Sequence, residues 1–213
     1  MRLPAIHVLR HPRAAACRLA WLVACACMPL AAQPTPATDQ PPPAATPFFA
    51  AEAVRAAYVV NFIRFTDWPA PFDEGPVIIG VSGSRPLEDE LIRLADRQSV
   101  AGRPLRVVRI KNLRDLAGCH VVYFARGDSP GEEPPPSVAS ALAILRDQPV
   151  LTVSEDPAFL GLGGIINLYR EDDKLRFEIA PDTARESRLV LSSRLLKLAR
   201  IVRGPAIPAP APR

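Results

Sequence analysis

The sequence predicts an α/β domain: a mostly parallel sheet flanked by helices on both faces, with a C-terminal antiparallel hairpin and a closing helix. Three observations predict it. Short segments that are apolar nearly throughout, "PVIIGVSG" (76–83), "CHVVYFA" (119–125) and "PVLTVS" (149–154), alternate with helical patterns. Strands apolar on both faces belong to parallel sheets covered on both sides. Near the end, "GIINLYR" and "KLRFEIA" flank the charged turn "EDD" at 171–173, the pattern of a hairpin. Last, "LSSRLLKLARIV" (191–202) sets Leu191, Leu195, Leu198 and Val202 at helical spacing.

The elements follow in order. "AAYVVNFIRFTDWP" (56–69) falls largely within a helix over 50–66 that ends before Pro69. Its apolar residues cannot share one stripe: Tyr58, Phe62 and Phe65 point one way, Ala57, Val60 and Ile63 another. The helix is either buried on both sides, with Trp68 as a plug at its end, or part of it meets another chain. A proline-rich turn (69–75) leads to the first strand, and Pro86 with early acids opens a helix over 86–98. "RPLRVVRIK" (103–111) is a strand, "NLRDLAG" (112–118) a turn or short helix, and 137–146 a helix. Alternation in the hairpin puts Leu175, Phe177 and Ile179 on one face and Arg176 and Glu178 on the other. Across the last helix from its leucines, Arg194, Lys197 and Arg200 form a basic edge, by default a solvated one.

The ends read differently. Residues 1–32 carry Arg2, Arg10, Arg13 and Arg18, no acid, and then a short apolar run, the pattern of a secretory signal too short to remain as a membrane span. Two exits are open: cleavage near Ala32, or lipidation at Cys25, since "LVAC" (22–25) is a lipobox pattern. Residues 33–47 are a Pro/Thr/Ala linker and 204–213 a proline-rich tail, which leaves 48–203 as a single domain. The excess of cations belongs to the leader. Without its four arginines, 22 of the 26 cations remain against 22 acids, so the exported protein is near neutral and nucleic-acid binding is not expected.

Catalytic side chains are scarce. His7 and His11 lie in the leader, leaving His120, and Cys17, Cys25 and Cys27 lie in or beside it, leaving Cys119. Cys119 and His120 cannot form a dyad, because neighbours on a strand face opposite sides of the sheet. No spaced set of ligands reads as a metal centre, and no cofactor is expected. "GVSGSRP" (80–86) lies between a strand and a helix but lacks the dinucleotide spacing and a lysine. "FLGLGGIIN" (159–167) precedes a strand, where its glycines permit a tight turn and close backbone approach. Should a small ligand bind, the candidates are Ser82, Gly83, Ser84 and Arg85, with Gly163, Gly164, Asn167, Arg176 and Glu178.

Together, "AAYVVNFIRFTDWP", "VIIGVSG", "AGRPLRVVRI", "CHVVYFA", "VLTVSEDPAFLGLGGIINLYREDDKLRFEIA" and "LSSRLLKLARIV" resemble the YfiR-like periplasmic proteins, in the family's order and over nearly all of 50–202. The resemblance implies an exported, non-enzymatic repressor that binds the periplasmic sensor domain of a membrane-bound diguanylate cyclase. Such binding would lower cyclic-di-GMP and disfavour biofilm growth. It also implies a homodimer, and in some members control by disulfides. Cys119 matches a family cysteine but has no partner within the domain, so redox control would need pairing between chains or with Cys27. The expected partner or dimer contacts are Tyr58, Phe62, Phe65, Trp68, Arg194 and Lys197, because aromatic side chains anchor interfaces. The alternative is a periplasmic small-molecule-binding module of another sensor system.

Overall fold

The computed structural model describes residues 47–126 and 134–203, with side chains from residue 51. Cys25, the leader, the linker before residue 47 and the tail from 204 lie outside the described residues.

The first helix, α1, spans Pro47–Arg64 and ends where Thr66 turns its hydroxyl back onto the Phe62 carbonyl at 2.8 Å. Thr66–Asp67 then forms a two-residue strand, β1. Most of both apolar sets of α1 is covered: Val59, Val60, Phe62 and Ile63 are each at most 3% exposed and Tyr58 and Phe65 are half-buried, while Ala57 is exposed.

Next come β2 (Val77–Ser82), α2 (Arg85–Ala95), β3 (Ser99–Val100) and β4 (Arg103–Arg109). They are followed by a 3-10 turn (Leu113–Leu116), β5 (Val121–Phe124), α3 (Val138–Leu145) and β6 (Leu151–Ser154). Ser84 starts α2 by accepting the Leu87 N–H on its hydroxyl, and Glu88 adds a carboxylate to the positive end of the helix. A second 3-10 turn (Leu160–Leu162) precedes the hairpin of β7 (Ile166–Glu171) and β8 (Lys174–Ile179). Its turn residues Asp172 and Asp173 both have positive φ, 49° and 58°, as the tight hairpin turn requires.

The chain closes through α4 (Pro181–Glu186), β9 (Val190–Leu191), α5 (Ser193–Leu198) and β10 (Arg200–Ile201). Here the sequence reading over-extends one helix and omits another. The leucine stripe read over 191–202 breaks after α5, with Leu195 3% but Leu198 75% exposed. Beyond it the chain becomes β10, which lies parallel to β8 and fills its edge, the Val202 N–H reaching the Ile179 carbonyl at 2.8 Å. Edge backbone groups left unpaired favour such capture over one more helical turn.

The main sheet runs β10-β8-β7-β6-β5-β2-β4-β3, parallel from β4 through β7, with β8 antiparallel to β7 but parallel to β10, and β3 antiparallel to β4. Successive residues of β5 serve opposite cores. Val121 and Tyr123 join α1 and α2, including Phe62, Leu87 and Leu91; Val122 and Phe124 join Ala141, Leu142 and Leu145 of α3 and Phe159. Helices on both faces are thus built into the strand's own alternation. Each such large side chain contributes roughly 1.5–3 kcal/mol on burial.

Candidate functional site

Beyond α3, the second face of the sheet changes character. Ile166, Leu168, Phe177 and Ile179 of the hairpin turn into the core shared with α1. Their neighbours Asn167, Tyr169, Arg176 and Glu178 therefore stand on the other face, where Arg200 of β10 meets them.

Glu178, 8% exposed, is the hub: its Oε1 accepts from the Asn167 amide at 3.2 Å, and its Oε2 accepts from Arg200 Nε at 2.9 Å and from a second guanidinium nitrogen. The Arg200 guanidinium also lies 4.5 Å over the Tyr169 ring. Glu178 holds the Arg200 pKa above its ordinary value, first through the hydrogen bond and then through its charge. Asn167, 2% exposed, keeps a buried Oδ1 with no hydrogen-bond partner. Such an atom is costly, about 1–3 kcal/mol, and is found where structure or recognition demands it. Arg176 stands at the outer end, paired with Glu171 at 3.1 Å. A carboxylate, guanidinium, amide and phenol so arranged donate, accept and stack, which is the chemistry of recognition.

A second polar cluster sits at the carboxyl ends of β5 and β6. Glu155 accepts both Arg55 of α1, through Nε and through Nη2 at 3.1 Å, and the buried Tyr123 hydroxyl. Arg55 also reaches Glu52 at 3.1 Å. Burial drives the Glu52 pKa up more than Arg55 lowers it, and burial beside Glu155 pushes the Tyr123 phenol far up. This network ties α1 to the sheet.

The remaining candidates are scattered. Phe62 is 1% and Trp68 9% exposed, so both belong to the core, and Tyr58 donates to the Leu175 carbonyl at 2.9 Å. Phe65 is brought near the segment carrying Arg194 and Lys197: β1 pairs with β9, and the Ser192 N–H meets the Phe65 carbonyl at 2.9 Å. Ser82 to Arg85 occupy the carboxyl end of β2, between β4 and β5, where doubly wound sheets reverse strand order and place ligands. There the Ser84 hydroxyl is used as the α2 cap.

Gly163 has φ +96°, and Gly164 packs so tightly on Phe159 that a Cβ would stand 2.2 Å from its ring. Beside Gly163 is a cleft of about 260 Å³, floored by Leu142, Leu145 and Ile165 and rimmed by Thr183, Glu186 and Ser187. Cys119 and His120 do face apart: the thiol, its pKa raised to about 11 by burial, points to the Asp115 carbonyl, and the imidazole meets Trp68 and Phe72. Among the described residues no group of three potential ligands could hold a metal ion, and no helix is long and apolar enough to cross a membrane.

Sequence reasoning puts Arg200 on a solvated helix edge, because it reads β10 as helix, and gives Tyr169 of the hairpin no role. It missed Arg55, Glu155 and Tyr123 because nothing local marks residues a hundred positions apart as partners. The alternation of Asn167 with Ile166 and Leu168 was the available signal for the polar face.

Fold and site define a doubly wound α/β domain with a polar cluster on one face of its antiparallel end. The chain belongs to the YfiR/HmsC-like family, whose model matches residues 52–200. A search of curated proteins gives no match. The family is periplasmic and regulatory, acting on diguanylate cyclases rather than turning over a substrate.

Proposed function

We propose that this protein represses a membrane-bound diguanylate cyclase by binding its periplasmic sensor domain stoichiometrically, lowering cyclic-di-GMP output. The observation that carries the reading is the family match across 52–200, nearly the whole described domain. The leader delivers the chain to the periplasm, by cleavage near Ala32 or with a lipid on Cys25.

The contact face is formed where α1 ends: half-buried Phe65 lies beside the β1–β9 ribbon, with Val190 63% and Leu198 75% exposed and Arg194 and Lys197 at its rim. Apolar anchors within a charged rim suit a protein partner or a second copy of the chain. Phe62 and Trp68 lie in the core and Tyr58 is turned to Leu175 and Phe177 of the hairpin, so these three do not line the face. The test mixes the purified protein with periplasmic domains of cyclases from the same genome. A saturable one-to-one complex is expected; inert mixtures with every one would contradict the reading.

The cleft beside Gly163 favours a second reading, a small-molecule-binding module, in which Thr183 and Ser187 would orient a ligand over the apolar floor. A ligand confined to the native state raises the melting temperature with its concentration, so thermal-shift screening separates the two.

A further inference from the structure

His120 has no part in the polar face. It precedes β5 at the amino edge of the sheet and is 7% exposed. Its Nδ1 accepts the Ile78 N–H at 3.2 Å, so the neutral ring carries its proton on Nε2. Trp68 and Phe72 pack edge-on against the imidazole, with centroids 6.2 and 5.9 Å away. A ring N–H also donates to the Phe72 backbone carbonyl, a bond that favours the protonated ring and works against burial and Arg103, which prevail. Arg103 holds the Glu74 and Gly75 carbonyls at 2.9 and 2.7 Å, and its Nη2 stands 3.1 Å from Nε2 as one donor beside another, so the guanidinium acts on the ring through its charge. One imidazole and one guanidinium thus fasten the connection from α1 to β2, residues 68–76.

The charge in contact with the ring is a cation. β4 presents Arg103; the connection itself carries Asp73 and Glu74, both exposed; Cys119 turns its thiol to the opposite face. Among the described residues no carboxylate is in hydrogen-bond contact with the imidazole. A second ring proton would convert Nδ1 from acceptor to donor, facing the Ile78 N–H, and would set a cation beside the Arg103 guanidinium. Both changes oppose the closed arrangement.

We propose that His120 is an acid-sensitive latch: neutral, it holds Trp68, Phe72 and the 68–76 connection against the sheet, and protonated it releases them. Burial, and then Arg103, hold its pKa below the ordinary 6.5. The sign follows: the latch contributes stability above pH 6.5 that is lost as the pH falls through the folded-state value. Trp68 directly follows β1, which pairs with β9, so release would also loosen that ribbon. The latch itself stands whatever partner the protein binds.

The test is an NMR titration of the exported protein from about pH 7.5 to 4.5, a range spanning ordinary histidine titration. The His120 ring, the Ile78 amide and the Trp68 indole should shift together, with one midpoint below 6.5. Beyond intrinsic chemistry, exchange of the Phe72 and Glu74 amides should quicken by up to about tenfold per pH unit. In His120→Asn, Oδ1 can accept from Ile78 without titrating, so the acid response should vanish while the connection stays protected. A connection that ignores the His120 titration, or responds equally in His120→Asn, would overturn the proposal. The wild-type titration decides alone should the variant not fold.

Discussion

At the scale of single residues, two groups carry most of the local tension. Glu52 is a carboxyl whose folded-state pKa lies above 4.5, because burial outweighs the pull of Arg55. A raised carboxyl costs nothing below 4.5, where both states are protonated; the cost grows as the pH rises above 4.5 and is complete above the folded-state pKa. Glu52→Gln should therefore raise the melting temperature at pH 8, with the gain fading towards pH 4.5; denaturation scans across that range check it. Gly164 is constrained by space. A Cβ would lie 2.2 Å from the Phe159 ring, which is 0% exposed and has nowhere to move. Gly164→Ala should cost about 1–3 kcal/mol, read as a lower denaturant midpoint. Gly80→Ala should cost less, since its Cβ would meet the Ile110 Cδ1 at 2.8 Å, the end of an adjustable side chain.

At the scale of elements, Ser84 separates two roles. Its hydroxyl caps α2, so Ser84→Ala should lower stability by about 0.5–2 kcal/mol and Ser84→Gly by only tenths. Were the carboxyl end of β2 also a ligand site, both variants would lose ligand-induced thermal shift alike. The longer strands and the hairpin are legible in the sequence because alternation and apolar runs are local signals, as in Val121 to Phe124, whereas the two-residue strands β1 and β3 carry no such signal. The closing region is not. Leu191, Leu195 and Leu198 satisfy helical spacing, yet the unpaired edge of β8 draws Arg200 and Ile201 into a strand, a competition only tertiary structure decides. α4 was passed over although Pro181 and Asp182 begin it with a proper first turn. The polar face was half legible: Asn167 and Glu178 follow from the hairpin, but Arg200 reaches it only through β10.

At the scale of the whole molecule, two cores pack on opposite faces of one sheet, and the two most exposed large apolar side chains among the described residues, Val190 and Leu198, lie in the closing segment. Val190 and Leu198 are exposed there within reach of cationic neighbours. If that surface docks a partner, Arg194→Glu with Lys197→Glu should weaken binding at least tenfold, about 1.4 kcal/mol, without moving the melting temperature, since both side chains are solvated. Titration calorimetry alongside a melting curve checks it. The most direct measurement is diguanylate cyclase activity in membranes carrying the cognate full-length enzyme, with purified protein added stepwise. Cyclic-di-GMP synthesis should fall to a plateau near one equivalent, and the charge-reversed variant should need far more. Synthesis that stays constant at saturating protein, with every cyclase the genome encodes, would contradict it.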